Sequence, residues 1–254
     1  MTVLDTLNTQ LLRQEFPAGE AYEKALSQYK MLAQNYASLE SCIAVLSDLQ
    51  TNTSYVYYGA IVQALDIETD SSEVELNSIW EEAIFKAIHP DDLVNKHTVE
   101  LQFLAMMRKL PPQQRTTYHV HSLIRMRDKE NNFRVIKHRM YYVYVAHSSP
   151  TWLAICLYGL PEPGISSDGL QHYIFNAVSG QVIVPDQNQL QGLLSAREKE
   201  VLQLIKSGNL SKEIAHSLSI SVNTVNRHRQ NILEKLRVKN SMEACLIADK
   251  LQLW

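Results

Sequence analysis

Cysteine is scarce: Cys42, Cys156 and Cys245 are the only three in 254 residues. An odd number in apolar settings, without metal-like spacing, predicts reduced core residues rather than a disulfide framework. Several catalytic signatures are also missing. There is no glycine-rich phosphate loop of the required form, no nucleophile elbow and no HExxH zinc pair, so the chain is expected not to be an enzyme and to hold no metal or cofactor. The start, Met1-Thr2-Val3-Leu4-Asp5, has neither a basic region nor a long apolar core. A secretory leader is therefore not expected, and a cytoplasmic location is. The stretch from Met140 to Pro161 lacks Asp, Glu, Lys and Arg and is long enough to span a bilayer. His147-Ser148-Ser149-Pro150 interrupts it, however, and its β-branched and aromatic flanks predict two paired strands and no membrane segment.

What is present is the composition of an ordinary globular protein, 45% apolar and 20% charged. The charge is unevenly divided. Residues 193–254 carry ten Lys and Arg against six Asp and Glu, or +4, while residues 1–192 carry fourteen against twenty-one, or −7. Only the C-terminal part is expected to attract phosphate.

That part reads as four short helices. Ser195 with Glu198 forms a capping box, Val201, Leu202 and Ile205 share a face, and Gly208 is the left-handed stop. Ser211 is expected to cap a second helix, Lys212 to Leu218, burying Ile214, Ala215 and Leu218. After the turn Ser219-Ile220-Ser221, Ser221 caps a third helix from Val222 to about Arg237. Two helices joined by so short a turn make a helix-turn-helix. On the third helix Val225, Ile232 and Leu236 lie on one side, and Asn223, Asn226, Arg227 and Gln230 on the other. Arginine can donate two hydrogen bonds to guanine, and asparagine or glutamine can pair bidentately with adenine. An ordinary solvated face is rich in Glu and Lys, whereas this one has no acid before Glu234.

The segment resembles the LuxR-type helix-turn-helix family of bacterial transcription regulators. The resemblance is carried by Leu194-Ser195-Ala196-Arg197-Glu198-Lys199-Glu200-Val201-Leu202, by Lys212-Glu213-Ile214-Ala215 and Leu218, and by Ile220-Ser221, Thr224-Val225, His228-Arg229, Asn231-Ile232, Lys235-Leu236, Val238 and Asn240. It implies that Asn226, Arg227 and Gln230 meet base edges of double-stranded DNA. Ser211, Lys212, Thr224, Arg229 and Lys235 are candidate backbone contacts. His228 is either a phosphate contact or a packed structural histidine. Two departures from the family pattern are Asn226, where lysine or arginine is frequent, and Ser241, where arginine is frequent. The fourth helix, from Asn240 or Ser241 to Leu251, carries Ala244, Cys245, Ala248 and Leu251 on one stripe. This stripe either closes the domain's own core or, as the resemblance implies, forms a dimer contact; a two-fold homodimer would match a palindromic operator. The phosphorylation-domain pattern often joined to such a head is not seen.

The first two-thirds is read as a helix, Glu20 to Leu39, with Tyr22, Leu26, Tyr29 and Ala33 near one face, then two strands, helices and three strands. The strands are placed at Ser41 to Asp48, Ser54 to Tyr58, Thr117 to Arg127, Phe133 to Ala146 and Trp152 to Gly159. Helical segments fall between Gly59 and Ile88 around an acidic loop, Asp66 to Glu75, and at Leu93 to Leu110. This order resembles the PAS sensory fold, a five-stranded antiparallel sheet cupping helices around a small pocket. The resemblance rests on His89-Pro90-Asp91-Asp92, read as a capped turn rather than a metal site, and on the hairpin from Leu123 to Ile136. His97 could reach inward, and His119 and His121 share one strand face. Fold class alone names no ligand.

The expected architecture is therefore α+β. A helical segment (1–40) precedes a PAS-like domain (41–160), a linker with a small hairpin at Tyr173–Asn176 and Gln181–Val184 (161–192), and an all-α four-helix LuxR-type domain (193–254). The expected function is a dimeric DNA-binding transcription regulator answering an unidentified small-molecule or protein effector. The alternative is an adapter whose PAS-like domain binds another protein while the head adds weak DNA affinity.

Overall fold

In the computed structural model the described residues are 3–12, 14, 21–144, 151–163, 172–184, 194–236, 238 and 240–250. The chain divides into two compact units, Thr9–Pro185 on one hand and Met1–Asn8 with Asp186–Trp254 on the other. A short helix α1, Val3–Leu12, stands at the start.

In the larger unit, α2 (Ala21–Leu39) precedes an antiparallel sheet. The strands are β1 (Ile43–Asp48), β2 (Thr53–Tyr58), β3 (Glu73–Leu76), β4 (Tyr118–Arg127), β5 (Phe133–Tyr144), β6 (Thr151–Gly159), β7 (His172–Asn176) and β8 (Val182–Ile183). Their order is β3-β2-β1-β6-β5-β4-β7-β8. The five expected strands are present and contiguous, but the sheet has eight among the described residues. Two readings explain the difference. The acidic stretch expected as a loop contains Glu73-Val74-Glu75-Leu76, whose alternating pattern pairs as β3 along β2. The hairpin assigned to the linker is built as predicted, but it docks on the open edge of β4 through the register Tyr118↔Asn176 to Ser122↔His172. The uncharged run from Met140 supplies β5 and β6, paired with each other. Among the described residues no helix is long and apolar enough to cross a membrane.

The two faces of the sheet are covered differently. On the outer face, α2 spends its stripe of Tyr22, Ala25, Leu26, Tyr29, Ala33 and Ala37 on Ala44, Leu46, Tyr55, Tyr57, Trp152, Ile155 and Leu157. Tyr22 and Tyr29 bracket Trp152 at 5.0 and 6.0 Å between ring centroids. The inner face carries Val120, Ser122, Ile124 and Met126 from β4 and Ile136, His138, Met140 and Tyr142 from β5, all buried. It faces the helical side, made of α3 (Glu82–Ala87), α4 (Pro90–Lys109) and the one-turn α5 (Pro112–Arg115). His89 caps α4, its Nδ1 accepting from the Asp91 amide at 3.3 Å, and Pro90 fills the first turn, where no amide hydrogen is needed. The motif is thus the capped turn that was predicted, three residues earlier than the expected helix start.

The smaller unit contains α6 (Ala196–Lys206), α7 (Ser211–Ser217), α8 (Val222–Leu236) and α9 (Ser241–Lys250). Val201, Leu202, Ile214, Ala215, Val225, Ile232, Leu236, Ala244 and Ala248 form its buried centre.

Candidate nucleic-acid interface and interior polar cluster

Local hydrogen bonding sets the geometry of the smaller unit. The Ser195–Glu198 capping box is complete: Glu198 N–H donates to Ser195 Oγ at 3.3 Å, and Ser195 N–H to Glu198 Oε2 at 2.7 Å. Gly208, at φ +87°, ends α6, and Asn209 N–H returns to Leu204 O at 3.0 Å. In the turn after α7, Ser219 takes φ +53° and Ile220 N–H reaches Ala215 O at 3.0 Å. Arg197 closes the turn by donating to Leu218 O at 2.6 Å. Ser221 then caps α8, accepting from Thr224 N–H at 3.0 Å. Asn240 caps α9 in the same way, through Glu243 N–H at 3.0 Å.

These caps orient α8 so that Val225, Ile232 and Leu236 are buried while Asn223, Asn226, Arg227 and Gln230 are exposed. Asn226 and Arg227 make no side-chain hydrogen bond or ion pair among the described residues. Gln230 Nε2 rests on Glu234 Oε1 at 3.1 Å, an exposed bond that is readily exchanged. Lys212 is exposed on the first turn of α7, and Thr224 Oγ1 lies 2.8 Å from Ser221 Oγ.

Other expected contacts are committed to the fold. Ser211 is not a cap: Leu210 holds that position, Glu213 reaches back to the Leu210 amide at 2.6 Å, and Ser211 Oγ accepts from Arg229 Nη1 at 3.1 Å. Arg229 also donates to Ser241 Oγ at 3.1 Å, so it ties α7, α8 and α9 together. Ser241 is the receiver of that tie on α9. Lys235 Nζ sits 2.6 Å from Glu198 Oε2, whose side chain is only 4% exposed. Burial pushes the Glu198 carboxyl up, but the hydrogen bonds from Lys235 and Ser195 outweigh it and hold the group below the usual carboxylate range. His228 is half-buried with Nδ1 enclosed, which fits the packed reading.

On the fourth helix, the packing favours the first of the two readings of the stripe, closure of the domain's own core. Ala244 and Ala248 are fully covered within the single chain, and Cys245 is 7% exposed with Sγ 3.9 Å from Leu202 O. Side chains already enclosed by α6 and α8 have no surface to offer a partner, so these three close the domain's core. Leu251 lies outside the described residues.

The larger unit holds a polar cluster that sequence reading missed. Lys96 and Glu100, one turn apart on α4, are both buried and paired at 2.7 Å. Burial works against charge on Lys96, but Glu100 and Glu81 surround it and keep it protonated. Glu81 is buried, with Oε1 3.3 Å from Ser47 Oγ. Its burial pushes its pKa up to about 7 against the pull of Lys96. One lysine cannot neutralise two carboxylates, so one of them keeps its proton. His138 Nε2 lies 4.0 Å from Glu100 Oε1 and is held neutral by burial, with Lys96 adding to the effect. Donor atoms of Glu100, His138 and Cys156 fall within 4.8 Å of one another. His97 does turn inward, edge-on to Trp80 at 5.9 Å and Phe85 at 5.3 Å. His119 and His121 are half-buried on the outer face, stacked on Tyr141 and Tyr173. The i, i+4 spacing of Lys96 and Glu100 was the one available sequence signal of this cluster.

Comparison with known proteins bears on the smaller unit. Residues 192–248 match the family described as "Bacterial regulatory proteins, luxR family". The transcriptional regulatory protein DesR of Bacillus subtilis is 55% identical over 51 residues, 20% of this chain and 26% of DesR. The uncharacterized response regulatory protein YgeK of Escherichia coli is 50% identical over 50 residues, 20% of this chain and 34% of YgeK. The chain thus spans about a quarter to a third of the length of these relatives. Among solved structures, the phage VqmA–DPO complex aligns over 91% of both chains at 13% identity with a TM-score of 0.30, too low to carry an argument. The C-terminal unit is a LuxR-family helix-turn-helix domain, a DNA-binding module of transcription regulators.

Proposed function

We propose that the whole chain is a sequence-specific transcription regulator, with a PAS-like sensor in its larger unit and DNA read by α8. The observation that carries this reading is the division of α8. Its apolar side is fully buried, and its opposite side presents Asn226, Arg227 and Gln230 at the start of the helix, the end that enters a major groove. Lys212 and the hydroxyl of Thr224 flank that face and supply phosphate contacts. The order of the five central strands and their helical inner side support the PAS-like reading. The regulator acts as a homodimer in the cytoplasm. With the stripe of α9 enclosed, the contact is assigned to α2, where Leu32, Tyr36 and Leu39 remain exposed at i, i+4 and i+7 after the opposite stripe has packed on the sheet.

The test begins with duplexes selected from a random pool by the intact protein. Arg227→Ala should cost about 1–3 kcal/mol on the selected duplex and little on random DNA. Equal loss on both would make Arg227 a phosphate contact, and absence of any selected sequence would favour the adapter. Sedimentation of the intact chain and of Tyr36→Glu tests the dimer; a monomer at micromolar concentration with and without DNA would overturn it.

A further inference from the structure

The registers of the sheet align a row of polar side chains on its inner face. His172 pairs with Ser122, Ser122 with His138, His138 with Tyr158, Tyr158 with Ile43, and Ile43 with Tyr58. Directly paired residues of neighbouring strands share a face, so the row crosses β7, β4, β5, β6, β1 and β2 in one line. Ser122, His138 and Tyr158 are 2%, 0% and 0% exposed. Among the described residues, Ser122 Oγ, both ring nitrogens of His138, the Tyr158 hydroxyl and both ring nitrogens of His172 have no hydrogen-bond partner. A buried polar group left unpaired costs about 1–3 kcal/mol, so four adjacent side chains in that state are a standing demand for a polar occupant.

Resting on the PAS-like sensor reading, we propose that this row is the recognition edge for a small uncharged molecule with an amide-like alternation of hydrogen-bond donors and acceptors. Three observations define that chemistry. A neutral imidazole offers one donor and one acceptor, and each hydroxyl offers both, so the row matches a ligand edge of mixed polarity. Formal charge is already balanced by the Lys96–Glu100 pair at 2.7 Å on the opposing helix, so an ionic ligand would meet a like charge or bring an unpaired one. Aromatic rings lie in and beside the row: Tyr158 is 4.8 Å from His138 within it, and Phe103 stacks on Tyr142 at 5.1 Å farther along β5. These favour a flat molecule.

The far end of the row, Tyr58, lines a cleft of about 1050 Å³ together with Trp80, Glu81 and Ile84. A divalent cation on Glu100, His138 and Cys156 is disfavoured, because the ammonium of Lys96 already occupies the electrostatic position beside Glu100 and burial keeps the Cys156 thiol protonated.

The experiment measures thermal shifts of the intact chain with matched probes: uracil against orotate, nicotinamide against nicotinate, and Zn2+ alone. Tyr158→Phe and Ser122→Ala each remove one hydroxyl and keep the packing. Uracil or nicotinamide should raise the melting temperature of the wild type, with orotate and nicotinate at least tenfold weaker. Both substitutions should cut that affinity at least fivefold while leaving the unliganded protein as stable as before or more so. Equal binding of the charged probes, binding of Zn2+ alone, or no shift by any probe at millimolar concentration would overturn the assignment. Probe binding unchanged in both variants would do the same. DNA binding by Arg227→Ala is read on the other unit, so its result separates failure here from failure of the regulator reading.

Discussion

Arg125 clamps Asp92 with three hydrogen bonds: its guanidinium donates Nε at 2.9 Å and Nη2 at 2.7 Å, and its backbone N–H donates at 2.7 Å. The clamp joins the first turn of α4 to the C-terminal part of β4, and His89 N–H adds a bond to Arg125 O at 2.8 Å. This explains why the His-Pro-Asp-Asp turn and the β4–β5 hairpin occur together: each supplies one jaw.

Asp92→Asn should therefore lower stability by about 2 kcal/mol, a loss typical of charge-assisted bonds to a buried carboxylate when the arginine is half-exposed. Burial raises the Asp92 pKa, but the Arg125 bonds outweigh it and hold the folded value below the ordinary one. The contribution is then fully present above the unfolded pKa and is lost as pH falls through the folded one. Urea titrations between pH 3 and 7 should show the difference between wild type and variant vanishing at the acid end; a constant difference would refute the linkage.

In the smaller unit, Lys235 and Lys212 should behave oppositely. Lys235→Met strands the nearly buried Glu198 carboxylate and should cost about 2 kcal/mol, while the salt dependence of DNA binding stays unchanged. Lys212→Ala should leave stability within about 0.5 kcal/mol and lower the slope of log K against log salt by about one unit. An exchange of these outcomes would return Lys235 to the phosphate contacts.

Glu81 predicts a pH dependence of the other sign. Its folded pKa of about 7 lies above the unfolded value near 4.5, so the folded state holds the extra proton between them. Stability should fall as pH rises through that window, by about 3 kcal/mol for a fully buried group. Of the titratable groups around it, Lys96, Tyr58, Cys156 and Tyr158 are all raised from values already above this window, and Glu100, raised by burial, acts with the same sign. Glu81→Gln should flatten the slope; an unchanged slope would mean that another group carries the proton.

Gly59 marks a close approach of chains. A β-carbon there would stand 2.3 Å from Ala37 O and 2.4 Å from Cys42 O, both backbone atoms. Gly59→Ala should destabilise by at least about 1–3 kcal/mol through forced separation of α2 from β1. Hydrogen exchange at α2 amides should rise with it, and unaltered exchange would count against this contact.

Much of the smaller unit was legible because its information is local. Ser195 with Glu198, Gly208 and Ser221 act within a few residues of their own position, and the periodicity of α8 separated Val225 and Ile232 from Asn226 and Arg227. Ser211 was misread because a serine before a helical run looks like a cap, whereas Glu213 and Leu210 perform that task without it. In the larger unit the central strands were legible from composition, but β3 was not, since glutamates at alternate positions conceal a four-residue edge strand. The interior row was beyond sequence reading for a different reason. His172, Ser122, His138 and Tyr158 become neighbours only through strand registers that no local pattern specifies.

Among the described residues, both border strands of the sheet are short: β3 is four residues with Glu73 and Glu75 exposed, and β8 is the pair Val182–Ile183. Long strands such as β4 and β5, left at an edge, would offer a template for unrelated chains to add to. A brief acidic strand at one border and a two-residue strand at the other shorten that template, which disfavours edge-to-edge pairing.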